Sequence, residues 1–356
     1  MEELRKIQQT AGLELDAAGN PLSFGNDGEA LAAAREGVAL CDRSHWGLLQ
    51  ISGEDRLRYL HNQSTNDFNR LQPGRGCDTV FVTSTGRTLD LATAYLTEDA
   101  VLVLVSPNRR QQLLEWLDRF IFPFDKVELT DLEAKYTVFS LIGSKSDSFL
   151  QQLAIEAIIG QSQHNHQLVN IDDVQLRIAV GSGLGIPGYT LIALATDAAT
   201  VWSKLMATGA VPMGDRIWEQ LRIQQGRPFP EQELTEDYNP LEAGLWHAIS
   251  FDKGCYIGQE TIARLNTYKG VKQRLWGVEL SEPIAPGTPV TVDDSKVGIL
   301  TSCTNSSQRA FGLAYIRTKA GGAGLEVQVG KAMGKLIAVP FLRHEYYQPN
   351  LAMENK

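Results

Sequence analysis

The sequence contains no Cys-x-x-Cys pair. Its four cysteines, Cys41, Cys77, Cys255 and Cys303, lie far apart. That spacing excludes a zinc ribbon or a thioredoxin-type motif and favours a reducing compartment. It also gives no sign of an iron–sulfur cluster held by this chain, and no metal site is expected. Long apolar runs are missing too. The longest, AVLVLV at 100–105, is far short of the ~20 residues a membrane helix needs, so no membrane association is expected. The N-terminus, MEELRKIQQTAGLELDAAG, has mixed charge and no apolar stretch, which excludes a signal peptide. Its Glu and Asp residues argue against a transit peptide. A cytoplasmic location follows as the expectation. Basic runs are absent and the net charge is −9, which excludes a nucleic-acid partner. A small anionic ligand stays open, because one pocket needs only a few basic groups. Internal repeats are absent as well.

What is present is a globular composition, 43% hydrophobic and 21% charged over 356 residues. This length predicts about two or three domains. Residues 29–37 read as a short helix ending at Gly37, 46–53 as a strand, and EDRLRYLHNQ as a helix. The stretch 78–107 reads as three strands joined by turns at STGR and TED. A helix is expected next, with Ser106 as its N-cap and Pro107 at its first position. Strand, helix and strand follow over 135–194, then helices over 197–208 and 214–226. An irregular link covers 226–240, either a mobile flap or a packed crossing segment. Beyond Lys269 the texture becomes short alternating segments broken by Gly and Pro, the pattern of a small β barrel or sandwich. The fold class is therefore α+β, with an α+β region over 1–268 and a β-barrel domain over 269–346.

Several candidate motifs fail on inspection. GSGLGIPG at 181–188 has a Pro where a phosphate-binding helix would start, so it is no dinucleotide fingerprint. GLEVQVGKA lacks the Ser or Thr a Walker loop needs after Lys331. HNH at 164–166 reads as a surface loop without ligand-spaced support. His45 in RSHWG reads as a half-buried histidine. Two residues stand out. Cys255, in FDKGCYIGQETIARL, sits between Lys253-Gly254 and what reads as a helix start. The positive end of a helix and a nearby ammonium would both raise its thiolate fraction. A reactive thiol and a small packed cysteine both stay open on this local reading. Asp90, in GRTLDLATAY, is a carboxylate in an otherwise apolar strand, suited to a cavity and to hydrogen-bonding a polar ring.

Taken together, CDRSHWGLLQISGEDRLRYLHNQSTND and NPLEAGLWHAISFDKGCYIGQE resemble the folate-binding proteins related to the glycine cleavage T-protein, an aminomethyltransferase. The similarity runs over nearly the whole chain. Within that superfamily, KGCYIGQE resembles the mark of the YgfZ-type branch. The resemblance implies a ring of two α+β subdomains plus a C-terminal β barrel around a central cleft. It implies tetrahydrofolate as the cofactor, with Asp90, Tyr256, Gln259, Glu260, Arg264, Arg222 and Thr190 as the residues that bind it. It implies a role in assembling or repairing iron–sulfur clusters, with the assembly machinery or client iron–sulfur enzymes as partners. Cys255, Lys253 and Asp90 would then carry the chemistry.

The chain also departs from T-proteins. Asp90-Leu91 stands where they carry Asp-Asp, and Thr190 in GIPGYTLI takes the place of their pterin-gripping Glu. Trp218 replaces an Arg, with Arg216 or Arg222 as possible compensation. A neutral hydroxyl lacks the charge-assisted bonds of a carboxylate, so glycine-cleavage activity of the ordinary kind is not implied. If the protein is an enzyme, a folate-dependent one-carbon transferase activity of aminomethyl type is the expectation. Two rival readings remain: a true aminomethyltransferase, and a non-catalytic folate-binding adaptor.

Overall fold

The computed structural model describes residues 1–305 and 309–348. The chain divides into two compact units. The first holds 1–57, 70–78 and 92–225; the second holds 58–69, 79–91 and 226–356.

The first unit is built on two mainly antiparallel sheets. One has six strands in the order His166–Ile171, Val174–Val180, Gly188–Leu194, Tyr136–Ile142, Ala39–Asp42 and Val211–Met213. Only its last pair is parallel. Helices Glu2–Thr10, Ser146–Gln152 and Ala198–Ala207 bring Leu4, Phe149, Leu150, Val201 and Trp202 onto it. These residues join Phe139, Leu141, Ile178 and Leu191 of the strands in one buried core. The helices cover one face of this sheet, so the strands His166–Ile171 and Val174–Val180 alternate in burial, while Tyr136–Ile142 and Gly188–Leu194 are buried nearly throughout. The other sheet runs Gly76–Val82, Thr88–Leu96, Ala100–Val105, Gly47–Ser52, Glu128–Asp131. Its two longest strands continue into the second unit at Thr79 and at Leu91.

The second unit contains a closed six-stranded barrel. Its order is Gln273–Leu280, Ala310–Arg317, Ser295–Asn305, Pro289–Val292, Glu326–Val329, Ala332–Ile337, returning to the first strand. Closure removes the free strand edges. The interior is filled by Val278, Val290, Leu300, Ala314, Ile316 and Leu336, so the barrel is a packed core. The α+β class with a terminal barrel stands as expected, and barrel replaces sandwich.

The link at 226–240 is a packed crossing segment. Glu233 is fully buried, accepting from the hydroxyls of Thr301 at 2.6 Å and Ser302 at 2.5 Å. Tyr238 stacks on Tyr315 with ring centres 3.5 Å apart. Two local expectations fail. The helix expected from Pro107 begins at Arg110, because the Ser106 carbonyl accepts from the Arg109 N–H at 3.0 Å and closes a turn first. HNH is no surface loop: His166 opens a strand and is buried, and His164 lies 3.3 Å from Asp78. Among the described residues no helix is long and apolar enough to cross a membrane.

Candidate functional site

The KGCYIGQE segment lies in the second unit, and its anchor is Lys253. The helix Arg56–Gln63 ends near it, and the last carbonyls of a helix lack intrahelical donors. Lys253 Nζ donates to the carbonyls of His61 at 2.5 Å, Ser64 at 2.7 Å and Asn66 at 2.7 Å. Three carbonyls thus match the three N–H donors of an ammonium, at the negative end of the helix dipole. The Lys253 charge also stands 4.6 Å from the centre of the Tyr256 ring, a cation–π contact. Burial pushes the Tyr256 phenol up. Burial, with the Lys253 charge beside it, holds the His61 imidazole below its ordinary value.

Backbone bonds hold the same segment on both sides of the thiol. Ser250 N–H donates to the Thr65 carbonyl at 3.0 Å and Ile257 N–H to the Asn62 carbonyl at 2.9 Å. The Thr65 hydroxyl donates to the Ala248 carbonyl at 2.7 Å. Gly258 closes the loop at φ +79°, and a Cβ there would stand 2.5 Å from the Thr83 carbonyl and 3.0 Å from the Gly86 Cα. Glycine is required on both counts. Within this frame Cys255 is exposed, whereas Cys41 is buried and burial pushes its thiol well up.

One expectation about Cys255 needs correcting. The helix spans Gln259–Thr267 with Gly258 as its N-cap, so Cys255 precedes it on an irregular loop. A helix dipole acts within about its first turn, and the Gln259 side chain at that end bends back to the loop, accepting from the Tyr256 N–H at 3.1 Å, instead of capping the helix. The Lys253 ammonium is likewise turned to the three carbonyls. What the loop supplies is presentation: an accessible sulfur on a backbone fixed from beneath.

Asp90 lies in the same unit, on a strand segment whose residues are buried throughout, and is itself fully buried. Both strand faces are covered, which explains why the sequence shows no alternation there. The turn Thr83–Arg87 leads into this strand, so the Gly86–Gly258 approach connects it to the Cys255 loop. Arg87 and Thr88 hold the crossing segment, donating to the carbonyls of Asp237 at 2.8 Å and Tyr238 at 2.9 Å. Glu242, which the sequence reading did not single out, is buried here; burial raises its pKa, opposed by the Asn239 N–H and by Arg87. Glu260 and Arg264 are exposed on the helix after the loop.

Thr190 and Arg222 belong to the first unit, and both are engaged inside it. The Thr190 hydroxyl donates to the Gly181 carbonyl at 2.8 Å. Arg222 is fully buried and makes a two-pronged pair with Glu219, at 2.6 Å from Nε and 2.5 Å from a terminal nitrogen. Arg216 is exposed and paired with Asp27 at 2.7 Å. The cation buried at the Trp218 position is Arg43, which the sequence reading passed over. Its guanidinium carbon lies 3.6 Å from the Trp46 ring centre and 4.4 Å from that of Trp218. Only a pattern pairing RSHW with the distant IWEQ could have signalled it.

Residues 20–253 match the family model of the GCVT N-terminal domain. The chain belongs to this family. Among its relatives is a chloroplastic protein of Arabidopsis thaliana whose name gives it provisionally as a transferase. The two are 46% identical over 327 residues, covering 91% of this chain and 76% of the relative. An aminomethyltransferase of Halalkalibacterium halodurans is 29% identical over 96% of this chain and 99% of its own length. The crystal structure of the glycine cleavage aminomethyltransferase T from Bartonella henselae superposes with a TM-score of 0.83 at 19% identity, over 97% of this chain and 99% of that one. That likeness establishes the GCVT-type fold.

The GCVT family implies tetrahydrofolate, and the donor set fits it in part. Thr190 and Arg222 do not fit, since their polar groups are committed within the first unit. Asp90 fits by chemistry alone: a carboxylate accepts well from the N–H edge of a pterin. Its side chain is fully buried within the strand rather than open to a cleft, as the sequence had led one to expect it to be.

Proposed function

We propose that this GCVT-family protein binds a reduced folate and transfers a one-carbon unit as an aminomethyltransferase-type enzyme. The carrying observation is the full-length relationship to aminomethyltransferases, 29% identity over 96% of the chain. Tetrahydrofolate, when bound, supplies the amine that accepts a one-carbon unit. Asp90 would accept from the pterin N–H edge, and Glu260 and Arg264 offer further polar contacts. Tyr256 and Gln259 would act mainly by holding the loop. A cytoplasmic location is part of the proposal, supported by the wide spacing of the four cysteines and the lack of a Cys-x-x-Cys pair in the sequence.

A second reading is favoured by one specific observation, the exposed Cys255 on a clamped loop. In it the protein is of the YgfZ type, and Cys255 supports assembly or repair of iron–sulfur clusters in client enzymes with folate bound beside it. An adaptor role, with Cys255 only docking a partner, is its limiting case.

Titration of tetrahydrofolate into the purified protein and into Asp90→Asn tests the shared premise, with thermal melting to verify folding. Binding at micromolar concentration, weakened at least tenfold in the folded variant, is expected. Absence of binding to the parent protein overturns both readings. Formation of methylenetetrahydrofolate from an aminomethyl-lipoyl donor then separates them. If that activity is missing and a Cys255→Ser variant fails to sustain iron–sulfur enzymes in cells, the second reading takes over.

A further inference from the structure

The two sheets of the first unit leave a cleft of about 460 Å³ between them. One wall is a face of the six-stranded sheet, where Arg177 pairs with Leu168 and Ile192, and Leu194 with Tyr136. The other wall comes from Gln50 paired with Leu102 and Ser52 paired with Ala100. Facing sheets normally interdigitate at close-packed density. A gap of this size is one that packing would have closed, and it falls in the range of small-molecule pockets.

Its chemistry has three parts. Leu102, Ile192 and Leu194 give an apolar lining, and Leu168 at the mouth is 53% exposed. Arg177 supplies a half-buried guanidinium that donates to His166 Nδ1 at 2.8 Å. The other His166 nitrogen meets the Arg75 carbonyl at 3.2 Å, so this imidazole is neutral with its proton on Nε2. Among the described residues no carboxylate lies within ion-pair distance of Arg177, although charged groups withdrawn from water ordinarily have partners. The third part is the rim, where Asp99, Asp173 and Asp197 stand. A simple anion would meet three carboxylates on its way to Arg177. A simple cation would leave the guanidinium uncompensated.

We propose that this cleft binds a small zwitterion with an apolar body, its carboxylate on Arg177 and its ammonium toward the rim aspartates. The site is separate from the Cys255 loop and does not depend on folate binding.

Three probes sharing a branched apolar body test it by calorimetry or protein-observed NMR: L-leucine, 4-methylpentanoate, which lacks the ammonium, and 3-methylbutan-1-amine, which lacks the carboxylate. L-Leucine is expected to bind at least tenfold more tightly than either analogue. Arg177→Met should weaken it at least tenfold. Leu168→Trp, at an exposed mouth position that tolerates bulk, should block it while the melting temperature stays near that of the parent, which covers the case in which Arg177→Met fails to fold. Binding of L-leucine no tighter than the analogues, absence of binding by all three at 10 mM (roughly the weak limit for a ligand this size), or binding indifferent to Leu168→Trp overturns the proposal.

Discussion

Lys253 Nζ lies 2.7 Å from the Ser64 carbonyl oxygen, so the lysine two residues before Cys255 works as a clamp. The same ammonium reaches the carbonyls of His61 and Asn66. Hydrogen bonds to a charged donor contribute about 1.5–3 kcal/mol each, and carbonyls left without donors carry a further cost. Lys253→Met is therefore expected to destabilise the protein by about 2–4 kcal/mol. It should also loosen the loop enough to change the rate at which a thiol reagent modifies Cys255. Urea unfolding and the kinetics of thiol labelling check both. An unchanged midpoint together with an unchanged labelling rate would remove Lys253 from the role of clamp.

Gly258→Ala probes the other end of the loop. At φ +79° an added Cβ meets the Thr83 carbonyl at 2.5 Å, and the left-handed backbone costs a non-glycine residue about 1–2 kcal/mol before any clash. The expected loss is about 2–3 kcal/mol, read as a shift of the denaturation midpoint at constant slope. Gly19, also at positive φ (+85°) but with nothing within 4 Å of a built Cβ, is the control. Gly19→Ala should show only the backbone part.

The barrel was legible because six short alternating segments broken by Gly and Pro have few other ways to bury one face each. The strand triplet at 76–105 was legible from its two turns. Asp90 stood out because a carboxylate in an apolar strand is anomalous at any register. The site's mechanics were hidden, because they depend on distant pairings. Nothing local to Lys253 announces that it will meet the end of a helix near residue 63. Nothing in RSHWG points to Trp218, so His45 drew attention and Arg43 did not. The start of the helix after Cys255 was read too early because a Gly-rich approach looks alike whether the turn comes before or after the cysteine. Gly258, at φ +79°, decides it.

Arg43 gives a third test. Its guanidinium sits between Trp46 and Trp218 and donates to the Ser140 hydroxyl at 3.1 Å and the Ser182 carbonyl at 3.2 Å. A lysine keeps the charge but has neither the planar stacking surface nor the forked donors. Arg43→Lys should cost about 2–3 kcal/mol, since a desolvated cation–π contact alone contributes ~2 kcal/mol. Tryptophan fluorescence should report the rearrangement in the native baseline. A variant as stable as the parent would mean that charge, and not shape, is what the two rings hold.

The His166 imidazole predicts a pH dependence of stability. Burial and the neighbouring Arg177 charge push its pKa from 6.5 down to about 4, and its Nδ1 accepts from Arg177. Between pH 6.5 and about 4 the unfolded chain therefore binds a proton that the folded one refuses. Unfolding free energy then rises with pH across that window. The contribution is complete above pH 6.5 and lost as the pH falls toward 4. Two half-buried histidines, His45 and His344, are lowered to about 4, again chiefly by desolvation, and steepen the slope. Asp215, which lies 3.3 Å from His45, opposes it. Burial lifts its carboxyl to about 7, so its folded form holds a proton that the unfolded form releases, and stability falls there as pH rises from about 4 to 7. His166→Gln retains an acceptor for Arg177 and does not titrate. It should flatten the slope between pH 4 and 6.5 by the His166 share while leaving stability at pH 7.5 within about 1 kcal/mol of the parent. Asp215→Asn should steepen the slope instead. Denaturation midpoints at half-unit pH steps distinguish the two variants by the sign of their change. Equal slopes in the parent protein and His166→Gln would mean that this histidine is solvated enough to titrate normally.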